Sequence, residues 1–201
     1  FSGSTVVSTM ILGNKLWCAN AGDSRAVLGR FNGEAWSAIP LSRDHKPDDE
    51  GEYARIMSCN GRVDPFREPN GDPIGPARVW LKHENAPGLA MARSMGDCVA
   101  ASVGVTCDPE IMHFDITPED KFLILASDGV WEFLSNEDVV SMIVPYWQAG
   151  DPDGACERIS QESTRKWREE DEVIDDITMV IVYLDENVLA KYFAHAGIGE
   201  Q

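Results

Sequence analysis

Positive charge is scarce in this chain of 201 residues: 17 Lys and Arg stand against 34 Asp and Glu, a net charge of −17. That balance speaks against binding nucleic acid or an anionic membrane through the general field of the molecule. Cysteine is sparse and unpatterned. Cys18, Cys59, Cys98, Cys107 and Cys156 make an odd count of 5 with no CxxC pair, which speaks against a zinc cluster. Most of them have apolar neighbours and read as reduced, buried thiols of a cytoplasmic or nuclear protein. Long apolar runs are missing. The longest are strand length, far short of the roughly 20 residues a membrane-spanning helix needs, and no secretory leader pattern is visible. A starting methionine is absent too. Phe1-Ser2-Gly3-Ser4-Thr5 leads at once into a strand-like run, which reads as a piece that begins inside a domain.

What is present is ordinary globular material, 43% hydrophobic, with acidic residues at unusual places. Most of the 34 acidic side chains read as solvated surface. Three sites do not. The run Leu123-Ile124-Leu125-Ala126-Ser127 ends on Asp128-Gly129, as when a strand delivers a carboxylate to the end of a buried sheet. Asp175-Asp176 immediately precedes the apolar Ile177-Thr178-Met179-Val180-Ile181-Val182, and Gly22-Asp23-Ser24 joins two further apolar runs. Each has a plain alternative when taken alone: a turn aspartate at Asp23, a tight turn at Asp128, an acidic loop at Asp175. Brought together, they would form a carboxylate pocket for hard divalent cations.

Hydrophobic periodicity predicts four opening strands as an antiparallel meander: Thr5–Leu12, Lys15–Ala19, Ala26–Gly29 and Ala35–Leu41. A helix is expected from about Asp48 to Cys59, with Tyr53, Ile56 and Met57 as its apolar face and Asn60-Gly61 as its stop. Pro65 to Pro87 reads as a long functional loop with one strand-like patch at Val79-Trp80-Leu81. Strands follow at Glu110–Asp115 and Phe122–Ala126. Ser135-Asn136-Glu137-Asp138 opens a helix with a capping-box pattern, and a second helix spans about Pro152–Trp167. Arg168–Glu172 reads as loose, Ile177–Leu184 as the last strand and Val188–His195 as a terminal helix. No repeat, linker or second core is seen, so residues 1–201 are expected to form one α+β domain.

Six motifs then fall in a telling order: Ser2-Gly3-Ser4-Thr5, Ala19-Asn20-Ala21-Gly22-Asp23-Ser24-Arg25, Asp44-His45-Lys46-Pro47, Leu89-Ala90-Met91-Ala92-Arg93-Ser94-Met95-Gly96-Asp97, Ala126-Ser127-Asp128-Gly129-Val130-Trp131 and Asp175-Asp176-Ile177-Thr178. Together they resemble the metal-dependent Ser/Thr protein phosphatases of the PP2C (PPM) family. The resemblance runs from Ser2 to about Leu184. It implies two stacked antiparallel β-sheets flanked by helices, two or more Mg or Mn ions, and hydrolysis of phosphoserine and phosphothreonine esters on phosphoprotein substrates by a metal-activated water. The metal residues it implies are Asp128, Asp175, Asp23 and Glu132. Asp175 matches the aspartate of an Asp-Asn motif, with Asp176 where the asparagine usually stands, although the opposite register is open. Asp23 and Glu132 match a weaker metal position, Glu132 replacing an Asp.

The family's Asp-Gly-His-Gly-Gly segment is not among these residues. That segment, the general acid and a phosphate-binding Arg are expected upstream of Phe1, so this stretch of chain is a partial phosphatase domain with little turnover expected of its own. Missing first strands would leave a sheet edge for another chain or fragment to cover. Arg93 is a candidate for substrate phosphate, with a structural ion pair to Asp97 as the other reading. Trp80 is a candidate substrate-facing residue on the Pro65–Pro87 segment. His45 is expected to order the loop beside Lys46-Pro47. The alternatives to an enzyme are a pseudophosphatase or regulatory binding module, and a catalytically incomplete fragment.

Overall fold

The computed structural model describes residues 1–171 and 173–184. In chain order the elements are β1 (Gly3–Ser4), β2 (Val6–Leu12), β3 (Lys15–Ala21), β4 (Arg25–Phe31), β5 (Trp36–Pro40), α1 (Glu50–Ser58), β6 (Gly61–Arg67), β7 (Pro73–Leu81), β8 (Pro87–Leu89), β9 (Met95–Gly96), α2 (Cys98–Ala101), β10 (Glu110–Asp115), β11 (Asp120–Ala126), α3 (Asp128–Trp131), α4 (Asn136–Ala149), α5 (Pro152–Glu170) and β12 (Met179–Tyr183). They distribute over two compact units. The first takes Phe1–Val6, Asn20–Asp23 and Arg43–Glu110; the second takes Val7–Ala19, Ser24–Ser42 and the residues from Ile111 onward.

The second unit is layered. A three-stranded sheet, β10-β3-β2, stacks on a four-stranded antiparallel sheet, β12-β11-β4-β5. Strands β4 and β11 carry nearly continuous apolar runs because both of their faces are buried. Side chains alternate across a strand. Ala26, Leu28 and Leu123 therefore join Leu16, Cys18 and Leu41 between the sheets, while Val27, Phe122 and Ile124 face the helices. Helices α4 and α5 close that second side with Val139, Val140, Ile143, Ala155 and Ile159. Gly29 is a packing requirement, since a Cβ there would lie 2.4 Å from the Phe122 ring. On the opposite side of the three-stranded sheet Val6, Met10, Leu12 and Ile111 are exposed.

The α+β class and the stacked antiparallel sheets agree with the expectation, but the opening strands do not form one meander. The chain changes sheets at Gly22–Ser24, so that β2 and β3 share one sheet and β4 and β5 the other. Helix α4 starts as its pattern predicts. Asp138 N donates to Ser135 Oγ at 3.1 Å, and Ser135 N donates to Asp138 Oδ2 at 3.2 Å. Gly150 ends the helix at φ 70°, in the left-handed region that favours glycine. Loss of an N-cap costs about 1 kcal/mol. Ser135→Ala is therefore expected to lower the unfolding free energy by about that amount; an unchanged urea midpoint would show that the cap contributes nothing.

Helix α5 continues through Arg168 to Glu170, where a loose segment was expected. Trp167 on its inner face is buried, and Arg165 bonds Glu162 and Glu169 along its outer face. Those pairs carry a polar sequence in helical form. The expected helix at Val188–His195 lies outside the described residues.

In the first unit α1 packs on the antiparallel sheet β6-β7-β8. Ile56, Val79, Ala92, Ala100, Val103 and Val105 form its core. The predicted apolar face of α1 is only partly right. Ile56 is buried, but Tyr53 and Met57 are exposed and the inward companion is Glu52. Asn60, at φ 61°, supplies the expected stop. The Pro65–Pro87 stretch is not a loop: it is a hairpin with a third strand. Its prolines sit where a sheet tolerates them. Pro76 falls in the irregularity between the pairs Pro65↔Ala77 and Phe66↔Ile74, and Pro87 lies on the edge strand β8. The thiols also differ from expectation, since of the five only Cys18 is buried, while Cys59, Cys98 and Cys107 are exposed. Burial pushes the Cys18 thiol up to about 11, which makes it inert.

Candidate metal centre

In the second unit, antiparallel pairing of β11 with β12 places Ala126 opposite Met179. Both strands therefore run out at the same end of the sheet, one into Ser127-Asp128 and the other out of Asp175-Asp176-Ile177-Thr178. Ser127 ties these segments together. Its N–H donates to Thr178 O at 3.0 Å, its hydroxyl donates to Asp176 O at 3.0 Å, and it accepts from Thr178 N at 3.1 Å. Asp128, half-buried, is then the first residue of the single-turn α3. Glu132 N donates to Asp128 O at 2.8 Å, and the Glu132 side chain is exposed one turn further on. Asp175 Oδ1 accepts from Asp176 N at 2.7 Å, which fixes that carboxylate against its own backbone.

Two indoles brace this corner, and neither was singled out for that role from sequence. Trp131 Nε1 donates to Ala126 O at 2.9 Å and lies 3.2 Å from Arg25 O. Trp167 Nε1 donates to Gly129 O at 2.8 Å. Gly129 itself has no room for a side chain, because a Cβ would lie 2.3 Å from Asp176 O. Overpacking of that kind typically costs about 1–3 kcal/mol. Gly129→Ala is expected to destabilise the second unit by that amount and to push the Asp175-Asp176 segment away. Measured unfolding within a few tenths of a kcal/mol of the parent would contradict the close approach.

In the first unit Asp23 is 3% exposed, and Lys46 Nζ stands 2.8 Å from its Oδ2. The turn that carries it is held from several sides. His45 N donates to Gly22 O at 3.0 Å, and Asn20 Nδ2 donates to Gly22 O and Arg43 O at 3.1 and 2.9 Å. The fully buried His45 ring has Nδ1 3.2 Å from Gly22 N. Burial, reinforced by the charge of Arg93, lowers the imidazole pKa below its ordinary value. Nδ1 also lies 3.1 Å from Gly22 O, so the ring holds the Gly22 backbone in either tautomer.

Arg93 belongs to the same unit and is held by Glu52 rather than Asp97. Its Nη2 lies 2.7 Å from Glu52 Oε1, and its Nη1 donates to Asp108 O at 2.9 Å. Arg55 Nη2 reaches Glu52 Oε2 at 2.6 Å. Burial raises the Glu52 carboxyl, but hydrogen bonds from Arg93 and Arg55, with their charges, outweigh it and bring the pKa to about 2. Trp80 is 7% exposed and donates to Asp64 O at 2.8 Å, and Arg62 Cζ lies over its ring, 5.4 Å from the ring centroid. Its indole also lines a small cavity with Arg62, Arg67 and Asn85.

The structure thus brings Asp128 and the Asp175-Asp176 segment to one corner, while Asp23 belongs to the first unit. Among the described residues no group of three or more His, Cys, Asp and Glu side chains is gathered closely enough to hold an ion unaided. The donors nonetheless suit Mg or Mn: carboxylate oxygens are the preferred type, and such ions keep several waters. Asp23 already accepts a cation, that of Lys46.

The family described as protein phosphatase 2C matches residues 1–171. "Probable protein phosphatase 2C 64" of Oryza sativa subsp. japonica is 42% identical over 188 residues, covering 92% of this chain and 42% of that protein. "Probable protein phosphatase 2C 72" of Arabidopsis thaliana is 42% identical over 190 residues, covering 92% of this chain and 55% of that protein. The fold is also similar to a serine-threonine phosphatase 2C from Toxoplasma gondii, with a TM-score of 0.78 at 22% identity over 90% of this chain and 58% of that one. A C. elegans sex determining protein gives a TM-score of 0.72 at 20% identity over 94% of this chain and 42% of that one. The chain spans about half the length of these curated relatives.

Proposed function

This chain belongs to the protein phosphatase 2C family, and we propose that it is part of a Mg- or Mn-dependent phosphatase domain acting on phosphoserine and phosphothreonine in proteins. The observation that carries the reading is the shared corner of β11 and β12, where Ser127 ties Asp128 to the Asp175-Asp176 segment. Asp128 and Asp175 hold the principal cations, Glu132 stands one turn from Asp128, and Asp23 is assigned a weaker position in the first unit. When bound, the cations supply the charge that makes water nucleophilic at neutral pH and neutralises the phosphoryl oxygens.

The chain's own residues do the holding. Short aspartates at a braced turn have little conformational freedom, so their oxygens are positioned before an ion arrives. The Trp131 and Trp167 indoles keep the Asp128-Gly129 turn in place. The sheet β6-β7-β8 is the surface that shapes substrate choice, with Trp80 as its anchor. Arg93 supports that unit through Glu52, and a role on phosphate would require it to leave this pair. Residues 1–201 act as one partial domain, in the cytoplasm or nucleus. No helix among the described residues is long and apolar enough to cross a membrane.

Hydrolysis of a phosphothreonine peptide by the full-length protein tests the reading. Turnover is expected with manganese and is expected to vanish with a chelator. Turnover that survives chelation, or none at all with manganese, would sink it.

A further inference from the structure

We propose that Lys46 is a resident counter-ion of Asp23, one that a divalent cation has to displace. The inference rests on the reading of Asp23 as a ligand of the weaker metal position. A carboxylate that is 3% exposed is costly to bury without a compensating charge, and Lys46 Nζ at 2.8 Å supplies it. The two partners differ in rigidity. Asp23 follows Gly22, whose carbonyl is bonded by both His45 N and Asn20 Nδ2, at 3.0 and 3.1 Å. Gly22 also sits at φ 121°, with no room for a Cβ against Thr5, so this turn has little freedom to shift.

The ammonium, by contrast, ends a flexible four-carbon stem, and the Lys46 side chain is 34% exposed. The carboxylate is therefore a fixed acceptor and the lysine a movable donor with solvent to move into. A cation that approaches Asp23 meets an oxygen already engaged by a positive charge. Like charges at one carboxylate compete, so Lys46 lowers the affinity of Asp23 for metal while keeping the buried carboxylate neutralised when no metal is present. Arg43, two residues before His45, does not take this part, because its Nη2 is 3.0 Å from Glu110 Oε1.

The test is manganese binding to the full-length protein, with free ion followed by electron paramagnetic resonance, independently of turnover. Lys46→Met keeps the apolar stem and removes the charge. It is expected to tighten the weakest manganese site about tenfold, the size of effect that loss of one close like charge produces. Lys46→Arg keeps a cation there and is expected to leave that site weak. Asp23→Asn separates the two ideas. If it removes the weakest site and Lys46→Met leaves that site unchanged or weaker, the counter-ion role is wrong and the ligand reading stands. If Asp23→Asn leaves all manganese sites as they were, the ligand reading fails and the inference falls with it.

Discussion

Asparagine in place of Asp128 is expected to lower manganese-dependent phosphopeptide hydrolysis by the full-length protein at least about a hundredfold. That corresponds to roughly 3 kcal/mol of lost transition-state stabilisation, a size consistent with removing one anionic ligand from a metal-assisted displacement. The change keeps the shape of the side chain and removes one charge. The braces on the corner do not depend on that charge: Trp167 bonds Gly129 O, Trp131 bonds Ala126 O, and Ser127 bonds Asp176 O. The fold of the second unit is therefore expected to survive, with a cooperative urea unfolding transition in the absence of metal. Parallel measurements of turnover and unfolding decide the matter. Parental turnover in the variant would remove Asp128 from the metal site, and collapse of the fold would recast it as a structural residue.

Glutamine in place of Glu52 is expected to cost the first unit about 3 kcal/mol, the low end of the range for breaking a buried ion pair by deleting one partner. Two arginines converge on this carboxylate, and Arg93, largely buried, would be left without it. The pH dependence carries a sign. The Glu52 pKa falls from 4.5 to about 2 on folding, so its stabilisation is fully present above the unfolded value of 4.5. It is lost as pH falls from about 4.5 to about 2. A shift of that size is worth about 3 kcal/mol at most. Urea unfolding of parent and Glu52→Gln proteins should therefore differ most near pH 7, and the gap should narrow steadily below pH 5. A gap that is constant from pH 7 to pH 3 would show that the carboxylate's charge is not what stabilises the unit.

Legibility in the sequence followed the range of the interactions concerned. The apolar runs that end on Asp128 and begin after Asp176 were readable because a strand's burial and its turn are local properties. The same holds for the Ser135 cap and the Asn60 stop. The face of α1 was misread because Glu52 turns inward to meet Arg93, which is 41 residues away, as well as Arg55. Prolines, glycines and charges made residues 65–87 look like a loop. They form strands because one face of that sheet packs Val63, Val79 and Leu89 on the core, and because Pro76 and Pro87 fall where no ladder bond is needed. Nothing in the string marked the N–H groups of Trp131 and Trp167 as braces of the Asp128 turn.

By itself, then, the order of residues determined the strands of the second unit, the Ser135 cap, the acidic strand ends and the family, all of which reside in short stretches of chain. Only the tertiary structure decided that β4 leaves the sheet of β3, that Asp128 and the Asp175-Asp176 segment share a corner, and which cations Glu52 and Asp23 hold. Those outcomes depend on pairings between distant segments, whose energies come from burial and charge in the folded molecule and leave no trace in local composition.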